Sequence, residues 1–135
     1  MKEVREVVEG DGYAAGHIDA MGDQYGFRKV RRSLGVTAFG VNAIVVPPGV
    51  SAGFHWHDEQ EETYFVHAGR ARWEFGDGSE VLVGPGGALR VDAQTKRRMS
   101  NAGDDDLVVF IVGGKDGYVG RDGQAPEGEQ RVTQA

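Results

Sequence analysis

Cysteine is absent from this chain. No disulfide can staple its fold, and no thiolate can act as a nucleophile or bind a metal. No apolar run approaches the roughly 18 residues needed to span a bilayer. The N-terminal Met1-Lys2-Glu3-Val4-Arg5-Glu6 lacks the apolar stretch of a signal peptide. A soluble, cytoplasmic protein with no membrane partner is the expectation. Positive charge is also short: 15 Lys and Arg stand against 21 Asp and Glu, for a net charge of −6. A nucleic-acid binder needs a basic face, so that partner class is excluded as well. The acidic run Asp104–Asp106 and the basic run Arg28–Arg32 are expected to be solvated surface.

Glycine is what the chain has in excess, 22 of 135 residues, against roughly 7% in an average protein. The glycines lie between short apolar runs, which is the pattern of tight turns joining short strands. Thr37 to Val46 is rich in Val, Ile and Phe and is closed by Pro47-Pro48-Gly49, so it is predicted to be a strand. Further strands are predicted at about Gly53–His57, Glu62–Ala68, Ala71–Phe75, Glu80–Gly84, Ala88–Val91, Lys96–Asn101 and Leu107–Gly113. No stretch carries a sustained helical period, and regular short strands of this kind predict an all-β sandwich or barrel. Residues 13–34 form an arm with short strands such as Phe27–Arg31. In residues 1–12, Val4, Val7 and Val8 suit either a short helix or a strand. The tail from Lys115 is Gly-rich and polar, and its last dozen residues are expected to be poorly ordered.

Alternation sorts the faces of the strand at 62–68. Glu62, Tyr64 and Val66 share one face, and Thr63, Phe65 and His67 share the other. Beyond Gly69 the apolar set moves from even to odd positions: Ala71, Trp73 and Phe75. A turn or bulge at Gly69 accounts for that change of parity.

His55 and His57 are two residues apart, so on a strand both imidazoles point to the same face. Glu62, on the next strand, can return a carboxylate to the same place. Two imidazoles and a carboxylate form a donor set for a divalent transition metal such as Fe, Mn, Ni or Zn. The alternative is a hydrogen-bonded polar patch lining a barrel. Glu61 faces the other way. His67 lies opposite Glu62 and suits packing or an interface, while His17 is a structural or surface residue. Tyr64 shares the Glu62 face, where it can donate to a substrate or simply line the barrel.

These residues resemble the first motif of the cupin family: Gly, five residues, His-x-His, three or four residues, Glu, six residues, Gly. Gly49, His55, His57, Glu62 and Gly69 fall on it. The family's second motif, Gly, five residues, Pro-x-Gly, two residues, His, three residues, Asn, is met at its ends by Gly86 and Asn101. Inside it the chain departs: Asp92 stands for Pro, Gln94 for Gly, and Arg97 for the metal histidine. The resemblance covers residues 35–113. It implies an antiparallel two-sheet barrel of jelly-roll type, a metal inside it and a homodimer. The arm (1–34) and the tail (114–135) lie outside it.

Arg97 bears directly on that metal. A guanidinium keeps its proton and cannot coordinate a cation. Held about 5 Å from a divalent ion, at an effective dielectric near 20, it costs roughly 6 kcal/mol. Arg97 can turn outward and leave a three-ligand site. It can stay inward and pair with Glu62 in a metal-free pocket. Or it can stay inward and meet the anionic end of a ligand. The first and third are preferred here, because an inward histidine pair has no evident structural purpose. Lys96 and Arg98 fall on the other face from Arg97. Two functions follow. One is a metal-dependent enzyme of dioxygenase, isomerase or decarboxylase type acting on a small polar or anionic molecule, with Arg97 and Tyr64 meeting the substrate. The other is a metal-free small-molecule-binding or sensor module.

Overall fold

The computed structural model describes residues 1–127. Strands β1 (Val8–Gly10) and β2 (Tyr13–Ala15) form a hairpin. After a 3-10 turn at Ile18–Ala20 come β3 (Gly26–Arg28) and a one-turn helix α1 (Val30–Leu34). The barrel strands follow: β4 (Gly40–Val46), β5 (Trp56–His57), β6 (Glu61–Ala68), β7 (Ala71–Phe75), β8 (Glu80–Val83), β9 (Ala88–Val91), β10 (Arg97–Asn101) and β11 (Leu107–Gly114). A last strand, β12 (Gly123–Gln124), lies in the stretch beyond Lys115. Among the described residues, no helix is long and apolar enough to cross a membrane.

The strands form two layers, and every ladder is antiparallel. One sheet runs β3-β4-β11-β6-β9 and the other β10-β7-β8. β12 pairs with β5, and two isolated bridges, Ser51 to Ser100 and His55 to Arg97, tie the β5 segment to β10. The core between the layers contains Ile44, Val46, Tyr64, Val66, Trp73, Leu107 and Val109. Trp73 is fully buried, and truncating such a residue to Ala costs about 3–5 kcal/mol. The arm covers the other face of the five-stranded sheet, where Met21 and Val30 pack on Ala43.

Parity along β6 follows the sequence: Glu62, Tyr64 and Val66 are buried, and Thr63, Phe65 and His67 are exposed. At Gly69 the backbone has φ +83, and a Cβ there would meet the Asp106 carbonyl oxygen at 2.7 Å. Beside it the β6–β11 register shifts between Val108 and Val109. Ala71 and Trp73 are then the buried residues of β7. The expected strand at Phe27–Arg31 is a correction: extended structure stops at Arg28, and Val30–Leu34 coils into a helix. Gly35 caps that helix in the left-handed region (φ 73), its N–H donating to the Arg31 carbonyl. Only Val30 of the helix is buried, so a single turn is enough to seat it on the sheet. The strand expected at Gly53–His57 shortens to Trp56–His57, with His55 held by its isolated bridge. Of the last dozen residues, where poor order is expected, 124–127 are described, with Gln124 in β12, and 128–135 lie outside the described residues.

Candidate metal centre

His55 and Arg97 face each other across a narrow antiparallel bridge. The His55 N–H donates to the Arg97 carbonyl, and the Arg97 N–H to the His55 carbonyl, both at 3.0 Å. The His57 N–H donates to the Ala93 carbonyl at 2.7 Å. Side chains alternate along both segments. His55, His57 and Arg97 point inward. On the opposite face Lys96 lies over the Trp56 ring, 5.0 Å from its centroid, and Arg98 over Phe54 at 4.6 Å. Arg97 has no exposed surface, which excludes the outward-turned arrangement.

Glu62 is the hub. It is fully buried, and four side chains converge on its Oε1. Arg97 Nη2 and the Tyr64 hydroxyl donate to it at 2.7 Å each. His57 Nε2 approaches to 3.1 Å and His55 Nε2 to 3.6 Å. The other nitrogens of Arg97 are engaged too. Nε donates to the Tyr64 hydroxyl at 3.3 Å, and Nη1 donates to the carbonyls of Asp92 (3.3 Å), Ala93 (3.0 Å) and Thr95 (2.8 Å). Burial works to raise the Glu62 carboxyl, but the close approach of the His55 and His57 rings and the charges of His57 and Arg97 hold it well below the usual range. Burial, together with the neighbouring Glu62 charge, pushes the Tyr64 hydroxyl well up.

Asp122, just before β12, was not singled out from the sequence. Its Oδ1 lies 2.7 Å from His57 Nδ1 and accepts from Gln60 Nε2 at 2.6 Å. Its Oδ2 accepts the N–H groups of Glu59 (2.8 Å) and Gln60 (3.0 Å). Burial opposes ionisation of Asp122, yet the donors from Gln60, Glu59 and His57 lower its pKa to about 2. The only sequence signal for it was an acidic residue in a Gly-rich tail. The remaining histidines lie elsewhere. His17 caps the 3-10 turn by accepting the Asp19 N–H at 3.1 Å, and His67 meets the Phe110 ring edge to face at 6.0 Å.

The donor set can be tested against a metal. One ligating atom each from His55, His57 and Glu62 lie within 4.8 Å of one another, so the cluster can hold a metal ion. His57 Nε2 and Glu62 Oε2 are buried with no hydrogen-bond partner; the 3.1 Å approach of Nε2 to Oε1 lacks hydrogen-bond geometry. Ionised Asp122 accepts a hydrogen bond from Nδ1–H, which leaves Nε2 to carry either a second proton or a bare lone pair facing an oxygen. Burial works against that second proton, but Glu62 and Asp122 outweigh it and raise the His57 pKa. A metal at Nε2 takes the place of that proton. Arg97 takes only Oε1, so Oε2 remains for a cation. Two imidazoles and a carboxylate suit a transition metal, and the residues fit one.

Beside the cluster is a small chamber of about 20 Å³, walled by Phe27, Ile44, Ala52, Met99 and Ile111, with His55 and Tyr64 as its polar lining. That is room for roughly one water.

Known folds resemble this one. A sugar phosphate isomerase of the cupin superfamily from Silicibacter pomeroyi is 20% identical with a TM-score of 0.64, over 93% of this chain and 77% of its own. The DMSP lyase DddQ from Ruegeria pomeroyi is 22% identical with a TM-score of 0.59, over 68% of this chain. A Cupin 2 conserved barrel domain protein from Salinispora arenicola is 26% identical with a TM-score of 0.53, over 58% of this chain. The chain spans only 46% of the lyase and 64% of the Salinispora protein. No curated protein matches it in sequence. The cupin domain family (Cupin_2) matches residues 43–113, a span that contains His55, His57, Glu62 and Arg97. With that match over more than half of its length, this chain belongs to the cupin family.

Proposed function

We propose that the chain binds a divalent transition metal through His55, His57 and Glu62 and takes a small molecule beside it. The observation that carries this reading is the pair of buried atoms without partners, His57 Nε2 and Glu62 Oε2, inside a convergent donor cluster. Buried polar atoms are normally satisfied, and one cation satisfies both. When bound, a divalent ion supplies Lewis acidity to an oxygen of the ligand. The chain's own residues do the rest. Arg97 and Tyr64 hold Glu62 Oε1 in place. The chamber beside it has mostly apolar walls and holds roughly one water, so a larger ligand requires those walls to move apart. Replacing the His57 proton by a divalent ion makes the cluster one charge more positive, which favours an anionic head on that ligand. The similar folds include a lyase and an isomerase by name, so the fold alone does not select the reaction.

Elemental analysis of protein purified without added metal tests this. About one equivalent of transition metal per chain is expected, with large losses in His57→Ala and Glu62→Gln. Less than a tenth of an equivalent in the wild type overturns the reading. A second reading, a metal-free binding pocket, is favoured by the 2.7 Å Arg97–Glu62 pair. It predicts that a chelator-treated chain still binds small carboxylates such as oxalate, seen as a change in tryptophan fluorescence.

A further inference from the structure

The C-terminal strap reaches the candidate centre from far along the chain. β12 pairs with β5 in register, Gly123 opposite His57 and Gln124 opposite Trp56. The Asp58 N–H donates to the Asp122 carbonyl at 3.1 Å, and Gln124 Nε2 donates to the Asp58 carboxylate at 3.0 Å. At the start of the strap, Asp122 receives four donors, one of them His57 Nδ1 at 2.7 Å. The Asp122 side chain is only 10% exposed and that of His57 only 5%. A carboxylate on the far nitrogen of a ligating imidazole fixes its tautomer and ring orientation. Here that carboxylate belongs to a segment held on the barrel by one short ladder.

We propose that Asp122 is a positioning residue for the metal centre and that strap docking and metal binding are reciprocally coupled. This rests on the metal-binding reading above. With the strap docked, His57 Nδ1 keeps its hydrogen and Nε2 is presented toward Glu62. With the strap released, the ring loses that constraint, and the Glu59 and Gln60 N–H groups lose their acceptor. Linkage then runs both ways: the strap raises metal affinity, and metal holds the strap down by the same factor.

Asp122→Asn is the sharp variant. With its NH2 in the place of Oδ2 the amide faces two backbone N–H donors it cannot satisfy, and with its NH2 in the place of Oδ1 it is met by His57 only if Nδ1 gives up its hydrogen, the tautomer that blocks Nε2. Two measurements apply to the full chain, stripped of metal and titrated with Mn(II) or Zn(II). The first is the metal dissociation constant, with far-UV circular dichroism confirming that the variant is folded. Asp122→Asn is expected to weaken it roughly 10- to 100-fold. The second uses the wild type alone: trypsin cleavage after the exposed Arg121, followed by mass spectrometry. Saturating metal is expected to slow that cleavage at least about tenfold, a response that a merely structural Asp122 would not produce. Equal affinities in the two folded chains, or a cleavage rate indifferent to metal, overturns the coupling. A wild type that takes up neither metal overturns the underlying reading as well, and so marks that failure apart.

Discussion

Strand β10 carries cations on both its faces, and the two faces behave differently. Lys96 and Arg98 lie on the outside, over the rings of Trp56 and Phe54. Arg97, between them in sequence, is inside with no exposed surface, bonded to Glu62, Tyr64 and three carbonyls. The segment opposite repeats the alternation, aromatics outward and His55 and His57 inward. The same backbone ladder thus builds a solvated cation–aromatic surface and a dry ionic cluster one residue apart. Dielectric makes the difference. An exposed cation over a ring contributes about 0.5–1 kcal/mol, whereas removing one partner of a buried ion pair costs about 3–5 kcal/mol.

Breaking the inner side should therefore have the largest effect. Arg97→Met leaves Glu62 buried without its guanidinium and is expected to lower the stability of the metal-free protein by about 3–5 kcal/mol in denaturant titrations. A bound divalent ion replaces the lost positive charge, so the loss should shrink by at least about 2 kcal/mol at saturating metal. An identical loss with and without metal would separate Arg97 from the cation site. Arg97→His comes next. It puts a ligand opposite His55 and removes the buried repulsion, and should tighten metal binding roughly 100-fold, about 2.8 kcal/mol, by calorimetric titration. Unchanged affinity would show that position 97 does not look into the site.

Much of this contrast could be read from the residues. The period of two put Glu62 on the face of the apolar Tyr64 and Val66, and set Arg97 opposite in direction to its neighbours. The parity change at Gly69 was legible because a turn or bulge supplies it and Gly tolerates the backbone such a feature requires. The direction of Arg97 was not, because alternation says which residues share a face and not which face is the core. Asp122 was invisible for a different reason. It acts over a long loop through a two-residue strand, and neither period nor motif spacing extends that far. The helix at Val30–Leu34 was missed because one turn is too short to show a 3.6 period, although Gly35 marked its end.

Smaller effects probe the margins of the inner cluster. Tyr64→Phe removes the hydroxyl that donates to Glu62 and accepts from Arg97 Nε, leaving that nitrogen buried and unpaired. The expected loss is about 1–3 kcal/mol of stability. A loss under about 0.5 kcal/mol would mean that the hydroxyl only lines the barrel. Asp122 predicts an acid window. Its folded pKa is lowered to about 2, so its contribution is complete above its unfolded value near 4 and disappears as pH falls toward 2. Plotting unfolding free energy against pH, the difference between wild type and Asp122→Asn should be flat above pH 5 and narrow below pH 4. A difference independent of pH would remove Asp122 from the acid limb.

The outer face should respond least, and for that reason it is the control. Lys96 is exposed and lies 5.0 Å over the Trp56 ring. Lys96→Ala removes a solvated ammonium whose attraction to the ring competes with full hydration, so about 0.5–1 kcal/mol is the expected cost. It leaves no buried atom unpaired and creates no cavity, the two routes by which point changes become expensive. Metal affinity should also stay within about twofold, because Lys96 points away from His55 and Glu62. A stability loss above about 2 kcal/mol, or a tenfold change in metal affinity, would show that the outer face is coupled to the inner one through Trp56 and the His57 backbone. The contrast between Arg97 and its neighbours would then lie in the β5–β10 ladder they share, and not in the dielectric on either side of it.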